Sequence, residues 1–289
     1  MNINGFFSAI LAASLFGMIP TFTKISYGYQ ISPQLAVFTR YVLALILIIV
    51  PFIIYKNNYK IIKQKIFLLL LISLGSICLS TGLLVSVIFI PVSLVALIFY
   101  TYPLIVLGYS SIFGKKLNKI QIIGFFLAFA GLGLALGPNF ETLNIYGIML
   151  ALLASIGAAT ILITNEILAK DLNPFTINAF VNFFCFLVLV LVIGINFDID
   201  LNVPNLGKIY IFFASLFYCA AFFAQLIAVS YIGSTKTSLI LYLEPIVAII
   251  SAIILLNESL TKIQTLGTII VIFSLVISLR KNTNQLYSS

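Results

Sequence analysis

Apolar residues fill this chain in long blocks, and short polar turns divide each block from the next. A helix that spans a bilayer needs about 20 mostly apolar residues. By that measure the pattern predicts ten spans, at 3–24, 32–55, 66–89, 92–112, 119–138, 144–168, 174–195, 207–231, 235–256 and 261–280. Pro33, Pro174 and Pro204 fall at or before predicted helix starts, where a missing N–H does no harm. The longest polar interruption, from Asn196 to Lys208, reads as a loop from its Asn, Asp and Pro content. The connections leave no room for a soluble domain, so the expected class is an all-α integral membrane protein.

The blocks also repeat. The stretch from Thr235 to Gly267, TKTSLILYLEPIVAIISAIILLNESLTKIQTLG, echoes SLVALIFYTYPLIVLGYSSIFGKKLNKIQIIG from Ser93 to Gly124. At an offset of 142, Tyr100 falls on Tyr242 and Pro103 on Pro245; at 143, Gln121 falls on Gln264 and Gly124 on Gly267. The one-residue slip lies in a polar turn, where an insertion disturbs least. A repeat decides the architecture before any single motif does. The chain divides into a first half, 1–140, and a second, 141–289, with five of the ten spans in each. Five is odd, so the second half enters the membrane upside down, related to the first by a pseudo-two-fold axis in the membrane plane. Inverted repeats of this kind place a binding site near the midplane and open it to either side in turn.

Charge changes the picture in one respect, orientation. The chain is 62% hydrophobic and 8% charged, whereas soluble domains carry roughly 25% charged residues. A net charge of +8 points to nucleic acid only if the basic residues form a face, and these lie scattered between apolar runs. Nucleic acid is therefore not an expected partner. With the N-terminus inside, Lys56, Lys60, Lys63 and Lys65 occupy one cytoplasmic loop and Lys115, Lys116 and Lys119 the next. Lys170, Lys236, Arg280 and Lys281 fall on the same side, while Lys24, Lys208 and Lys262 stay at outer margins. Positive residues inside are the rule, so both termini are expected in the cytoplasm. The first apolar run lacks a basic region before it and reads as a retained span rather than a cleaved signal.

Candidate chemistry is sparse. Histidine is absent, and Cys78, Cys185 and Cys219 sit inside apolar runs without metal or redox spacing, as small buried hydrophobes do. No metal site and no cofactor are expected. Pro103 and Pro245 lie within spans, where each removes a helix bond and crowds the carbonyl four residues back, at Phe99 and Leu241. Freed carbonyls in lipid must face protein or a water-lined cavity. Both repeats carry the proline, which favours a bend around a central cavity over a packing kink.

Arg40 and Glu244 are the ionisable residues deepest in apolar sequence. At about 1.5 Å per residue, Arg40 lies ~12 Å from the outer end of its helix and Glu244 ~14 Å from the inner end of its own. Those depths allow a meeting near the midplane, where a lone charge costs roughly 2.5–3.5 kcal/mol. The two readings are a structural ion pair and a role in substrate binding or coupling. The first-half equivalent of Glu244 is the uncharged Tyr102, and that broken symmetry favours function. Tyr100, Tyr102, Tyr242, Asn178, Asn182 and Gln225 are softer candidates, since polar side chains within spans also serve helix packing. Lys236 reads as a topology anchor, and Glu166 with Lys170, like Glu258 with Lys262, as an i,i+4 pair at a helix end. The Gly131-Leu132-Gly133 run with Gly137 lacks the lysine and strand of a phosphate loop and indicates close helix packing.

One resemblance covers essentially the whole chain. The pattern Glu258-x-Leu260-Thr261-x-x-Gln264-x-x-Gly267, with its echo at Leu117, Gln121, Gly124 and Gly131, resembles the drug/metabolite transporter superfamily in its EamA branch. The opening LAASLFGMIPTFTK at 11–24, followed by Phe38-Thr39-Arg40, resembles the first two helices of that family. The first copy differs in carrying Lys116 where the second has Glu258 or Ser259. The resemblance implies ten transmembrane helices in two inverted five-helix repeats and transport of small organic metabolites, frequently export.

The expected function is secondary transport of a small-molecule substrate across the cell inner membrane, and the resemblance implies amino acids or related compounds as the exported class. Uptake of a metabolite and multidrug or cation efflux are the alternatives. An enzyme is not expected, because no His-based or Ser-Lys pair lies at depth and no metal cluster or lipid-headgroup motif is present. No Walker motif is present either, so proton or ion coupling, or a substrate gradient, is the expected source of energy. The lipid bilayer is the remaining partner, and the chain is expected as a monomer or homodimer.

Overall fold

The computed structural model describes residues 3–55, 63–86, 88–113, 119–137, 143–196, 203–256 and 261–280. The described residues form α1 (Ile3–Gly28), α2 (Pro33–Tyr55), α3 (Ile66–Ser86), α4 (Val92–Phe99), α5 (Tyr102–Ile112) and α6 (Lys119–Leu136) in the first half. The second half contributes α7 (Ile145–Leu168), α8 (Pro174–Asn196), α9 (Asn205–Ile240), α10 (Leu243–Leu256) and α11 (Lys262–Arg280). Several features of the sequence reading lie outside the described residues: Lys56, Lys60, Lys115, Lys116 and Lys281 of the orientation argument, and the boundary between 140 and 141. Leu117, Glu258 and Leu260 of the repeat motif, and the middle of the 196–208 loop, lie outside them too.

The helix starts follow local chemistry. Pro33 and Pro174 open α2 and α8, and Pro91 and Pro204 cap α4 and α9. Proline suits these positions because the first turn has no intrahelical use for its N–H. The Asn144 side chain caps α7 by accepting the Tyr146 N–H at 2.9 Å, and Asn173 caps α8 by accepting the Thr176 N–H at 2.8 Å. Seven helical segments among the described residues are long and apolar enough to cross a membrane. Leu35–Ile48, Leu243–Leu256 and Lys262–Ser278 are apolar but shorter, which brings the apolar segments to ten.

The fourth and ninth spans are each built from two helices. In the fourth, α4 stops at Phe99 and α5 restarts at Tyr102, which places Pro103 in the first turn of the new helix. In the ninth, the chain is helical to Ile240, breaks at Leu241 and Tyr242, and restarts as α10 with Pro245 in its first turn. The Leu241 carbonyl, which Pro245 cannot serve, accepts the Glu244 N–H at 3.0 Å instead. Both breaks thus fall just before a proline, at equivalent places in the two repeats.

Spans eight and nine differ from the expected separation by a short turn. They run on as α9, and the whole change of direction falls on Gly233, with φ +79° and ψ 166°. A side chain is strained at such a φ, so the corner depends on glycine. The Glu166 carboxylate accepts the Ser234 N–H at 3.1 Å and the Ser234 hydroxyl as well, which caps the helix that restarts there. A negative group at a helix N-terminus also meets the favourable end of its dipole.

Packing carries the symmetry of the duplication. Helix α1 lies along α9, α3 lies along α7, and α6 lies along α11. Exchanging the halves converts the first contact into the second and leaves the third unchanged, as a two-fold axis requires. The α3–α7 contact is backbone to backbone: a Cβ on Gly157 would stand 2.5 Å from the Gly75 carbonyl oxygen. The α6–α11 contact is equally close, with Gly131 and Gly267 facing each other, so the glycine pattern of the repeat serves helix approach. Gly75 with Gly157, and Gly131 with Gly267, let their helices approach at backbone distance.

Candidate functional site

A cavity of about 200 Å³ opens at the centre of the bundle, between the two helix breaks. Its walls are mostly apolar, from Phe16 on α1, Leu79 and Leu83 on α3, Leu162 on α7 and Phe222 on α9. Four side chains singled out by the sequence line it: Arg40 on α2, Tyr102 at the start of α5, Gln225 on α9 and Glu244 at the start of α10. Ser76 and Tyr218 add polar atoms to the same walls. Ligand sites have this composition, a hydrophobic enclosure with a few converging polar groups.

The helix breaks set the position of Glu244. Because α10 restarts at Leu243, Glu244 stands in its first turn with its side chain turned into the cavity. Helix α1 holds that turn in place from behind, since a Cβ on Gly17 would meet the Glu244 carbonyl oxygen at 2.5 Å. Tyr100 stands close to the Glu244 carboxyl group. Tyr100 itself belongs to an aromatic cluster around the first break, with its ring centroid 5.0 Å from Phe99 and 6.2 Å from Tyr102.

Arg40 joins the cavity wall from α2. Its guanidinium lies over the Tyr218 ring, 4.4 Å from the centroid. That ring is fixed in turn by Phe222, stacked at 6.0 Å, and by the edges of Phe16 at 6.3 Å and Tyr41 at 6.2 Å. Arginine over an aromatic face gains ~0.5–2 kcal/mol while its in-plane N–H groups remain free to bind. The Arg40 Nε is buried without a hydrogen-bond partner. Arg40 and Glu244 thus share one cavity, and among the described residues no ion pair joins them. The cavity holds one fixed cation and one carboxylate with a gap between them.

The remaining candidates lie elsewhere. Tyr242 is completely buried outside the cavity lining, its ring edge-on to Phe125 at 6.3 Å and its hydroxyl without a partner. Asn178 and Asn182 line a separate pocket of about 150 Å³ between α2, α8 and α9. There the Asn182 amide donates to the Asn178 backbone and side-chain oxygens, both at 2.9 Å, so the pair is joined within one helix rather than across helices. Pro103 and Pro245 lie beside the cavity at the helix breaks. Two contributors escaped the sequence reading. Tyr218 carries no mark in an apolar run, since its significance is the guanidinium of another helix. Glu166 matched a helix-end pair, and the Gly233-Ser234 corner was the available signal of its longer reach.

The described residues hold no group of three or more potential metal ligands. The family model of EamA-like transporters matches the chain twice, over residues 3–137 and 145–280. A crystal structure of another protein superposes with a TM-score of 0.80 over 96% of this chain and 98% of that one. The two sequences are 12% identical, so the likeness is one of fold. A search of curated proteins gives no match.

Proposed function

The chain belongs to the EamA-like transporter family, which makes it a multi-pass membrane transporter of a small molecule, and we propose that it is a secondary carrier for amino acids or closely related zwitterions. The observation that carries this reading is the cavity with Arg40 and Glu244 both on its wall and not paired to each other. A substrate carboxylate suits the planar, multiply donating guanidinium, and a substrate ammonium suits Glu244. The apolar and aromatic walls suit the remainder of such a molecule. At about 200 Å³ the cavity is smaller than the roughly 300–1,000 Å³ of drug-sized sites, which favours a metabolite over a bulky drug.

In this reading the repeats 1–140 and 141–289 rock against each other about the cavity, and export is the working direction. Both termini face the cytoplasm, on the lysine bias of the loops. Glu244 exchanges its substrate ammonium for a proton when the carrier returns empty, which provides the coupling. A cation efflux carrier is the second reading, favoured by Tyr102 and Phe99 beside Glu244, but it leaves Arg40 without a task. Purified protein in liposomes separates the two: flux of labelled amino acids without nucleotide, inhibited by zwitterions and untouched by lipophilic cations, supports the first reading. Inhibition by lipophilic cations alone overturns it.

A further inference from the structure

Outside the central cavity, a second groove runs between the outer end of α9 and the start of α2, with a volume of about 260 Å³. One wall is a stripe at four-residue spacing, Ile31, Leu35, Thr39 and Leu43, and the other is Ile211 and Phe212. Leu35, Thr39 and Leu43 keep one face of α2 turned to the groove over two turns, roughly 12 Å, and Ile31, just before the helix, extends that wall. Its floor is apolar: Ile31, Leu35 and Ile211 pack into a buried cluster, and the Thr39 and Ser215 hydroxyls pair at 3.2 Å. Lys208 is the one charged residue of the lining, is exposed, and has no acidic partner among the described residues.

We propose that this groove binds an anionic phospholipid, one acyl chain lying between α2 and α9 with its phosphate on the Lys208 ammonium. The shape fits a chain rather than a compact solute, and the charge is placed at a helix end, where a headgroup would be. A basic residue on the side that the loops otherwise keep poor in lysine also calls for a local reason, and an anionic headgroup supplies one. The lipid would act on transport through α2: Thr39 faces the groove, and its neighbour Arg40 faces the cavity. Occupancy therefore braces the helix that presents the guanidinium. A lysine near an anionic surface contributes ~1 kcal/mol, which is about a fivefold preference for anionic over neutral lipid.

The test is lipid binding by native mass spectrometry, together with melting temperature, in phosphatidylcholine with and without phosphatidylglycerol. Wild-type protein and Lys208→Arg should retain phosphatidylglycerol over phosphatidylcholine about fivefold and melt higher with it. Lys208→Gln should lose that preference, Leu43→Trp should lose retained lipid by filling the groove, and Lys63→Gln, far along the chain from the groove, should behave as wild type. Equal retention by Lys208→Gln and wild type, or the same melting shift from inorganic phosphate as from phosphatidylglycerol, overturns the proposal.

Discussion

Tyr100 and Tyr242 hold equivalent positions in the two repeats, yet Tyr100 stands close to Glu244 while the Tyr242 hydroxyl is buried with no partner. The difference follows from the sequence two residues on, where one repeat has Tyr102 and the other Glu244. A buried hydrogen bond left unmade costs about 1–3 kcal/mol. Tyr100→Phe removes the hydroxyl close to Glu244 and should lower flux. Tyr242→Phe should leave flux intact and raise stability, by as much as ~1 kcal/mol. A loss of flux in Tyr242→Phe without a fall in melting temperature would give that hydroxyl a transport role.

The prolines keep α4 apart from α5 and open the ninth span before α10. With Pro245→Ala an N–H becomes available to the Leu241 carbonyl, and the helix can close across the break that aims Glu244. Flux should fall about tenfold or more, while expression and membrane insertion change little; Pro103→Ala should act in the same direction. The comparison to make is initial flux normalised to inserted protein. Wild-type flux in both variants would reduce the breaks to packing features.

Gly233 and Glu166 form the corner between spans eight and nine. A non-glycine residue at this φ and ψ costs about 1–3 kcal/mol. Gly233→Ala should lower thermal stability by that amount. Glu166→Ala, which leaves the Ser234 N–H uncapped, should destabilise more than Glu166→Gln, which keeps an acceptor. Equal melting temperatures for all three variants and the wild type would show that the corner is held by other contacts.

Reporter fusions check the orientation. Fusions at Ser289 and in the 55–65 loop should report cytoplasm, and one at Asp200 the outside. An external Ser289 would contradict an even number of spans with the N-terminus inside.

Much of the fold was legible because its causes are local. Hydrophobic runs mark spans whatever their neighbours, and Pro103 and Pro245 break helices by a clash within their own turn. Gly131 was legible as a packing residue because a missing side chain has few other uses in lipid, whereas its partner Gly267 stood out only as a repeat position. Neighbours were harder to read. Periodicity assigns Asn178 and Asn182 to a face of α8 but not to the pocket that this face meets, and they fall away from the central cavity. The depth estimate brought Arg40 and Glu244 to one level, and the structure gives them one cavity; depth could not say that Tyr218 would hold the guanidinium instead of Glu244. Repeat equivalence likewise gave Tyr242 a place but not a partner.

Flux of a labelled amino acid into proteoliposomes, compared across wild type, Glu244→Gln, Arg40→Gln and the double variant, tests the central claim most directly. The claim is that the two side chains serve the substrate rather than each other. Each single variant should stay folded, because no ion pair is broken, and should lose transport at least about tenfold, the effect of ~1.4 kcal/mol or more of lost recognition. The double variant should fold, remain inactive, and show no response to an imposed proton gradient. If instead the single variants unfold and the double variant regains wild-type, pH-responsive flux, Arg40 and Glu244 are a scaffold pair and the binding site lies elsewhere.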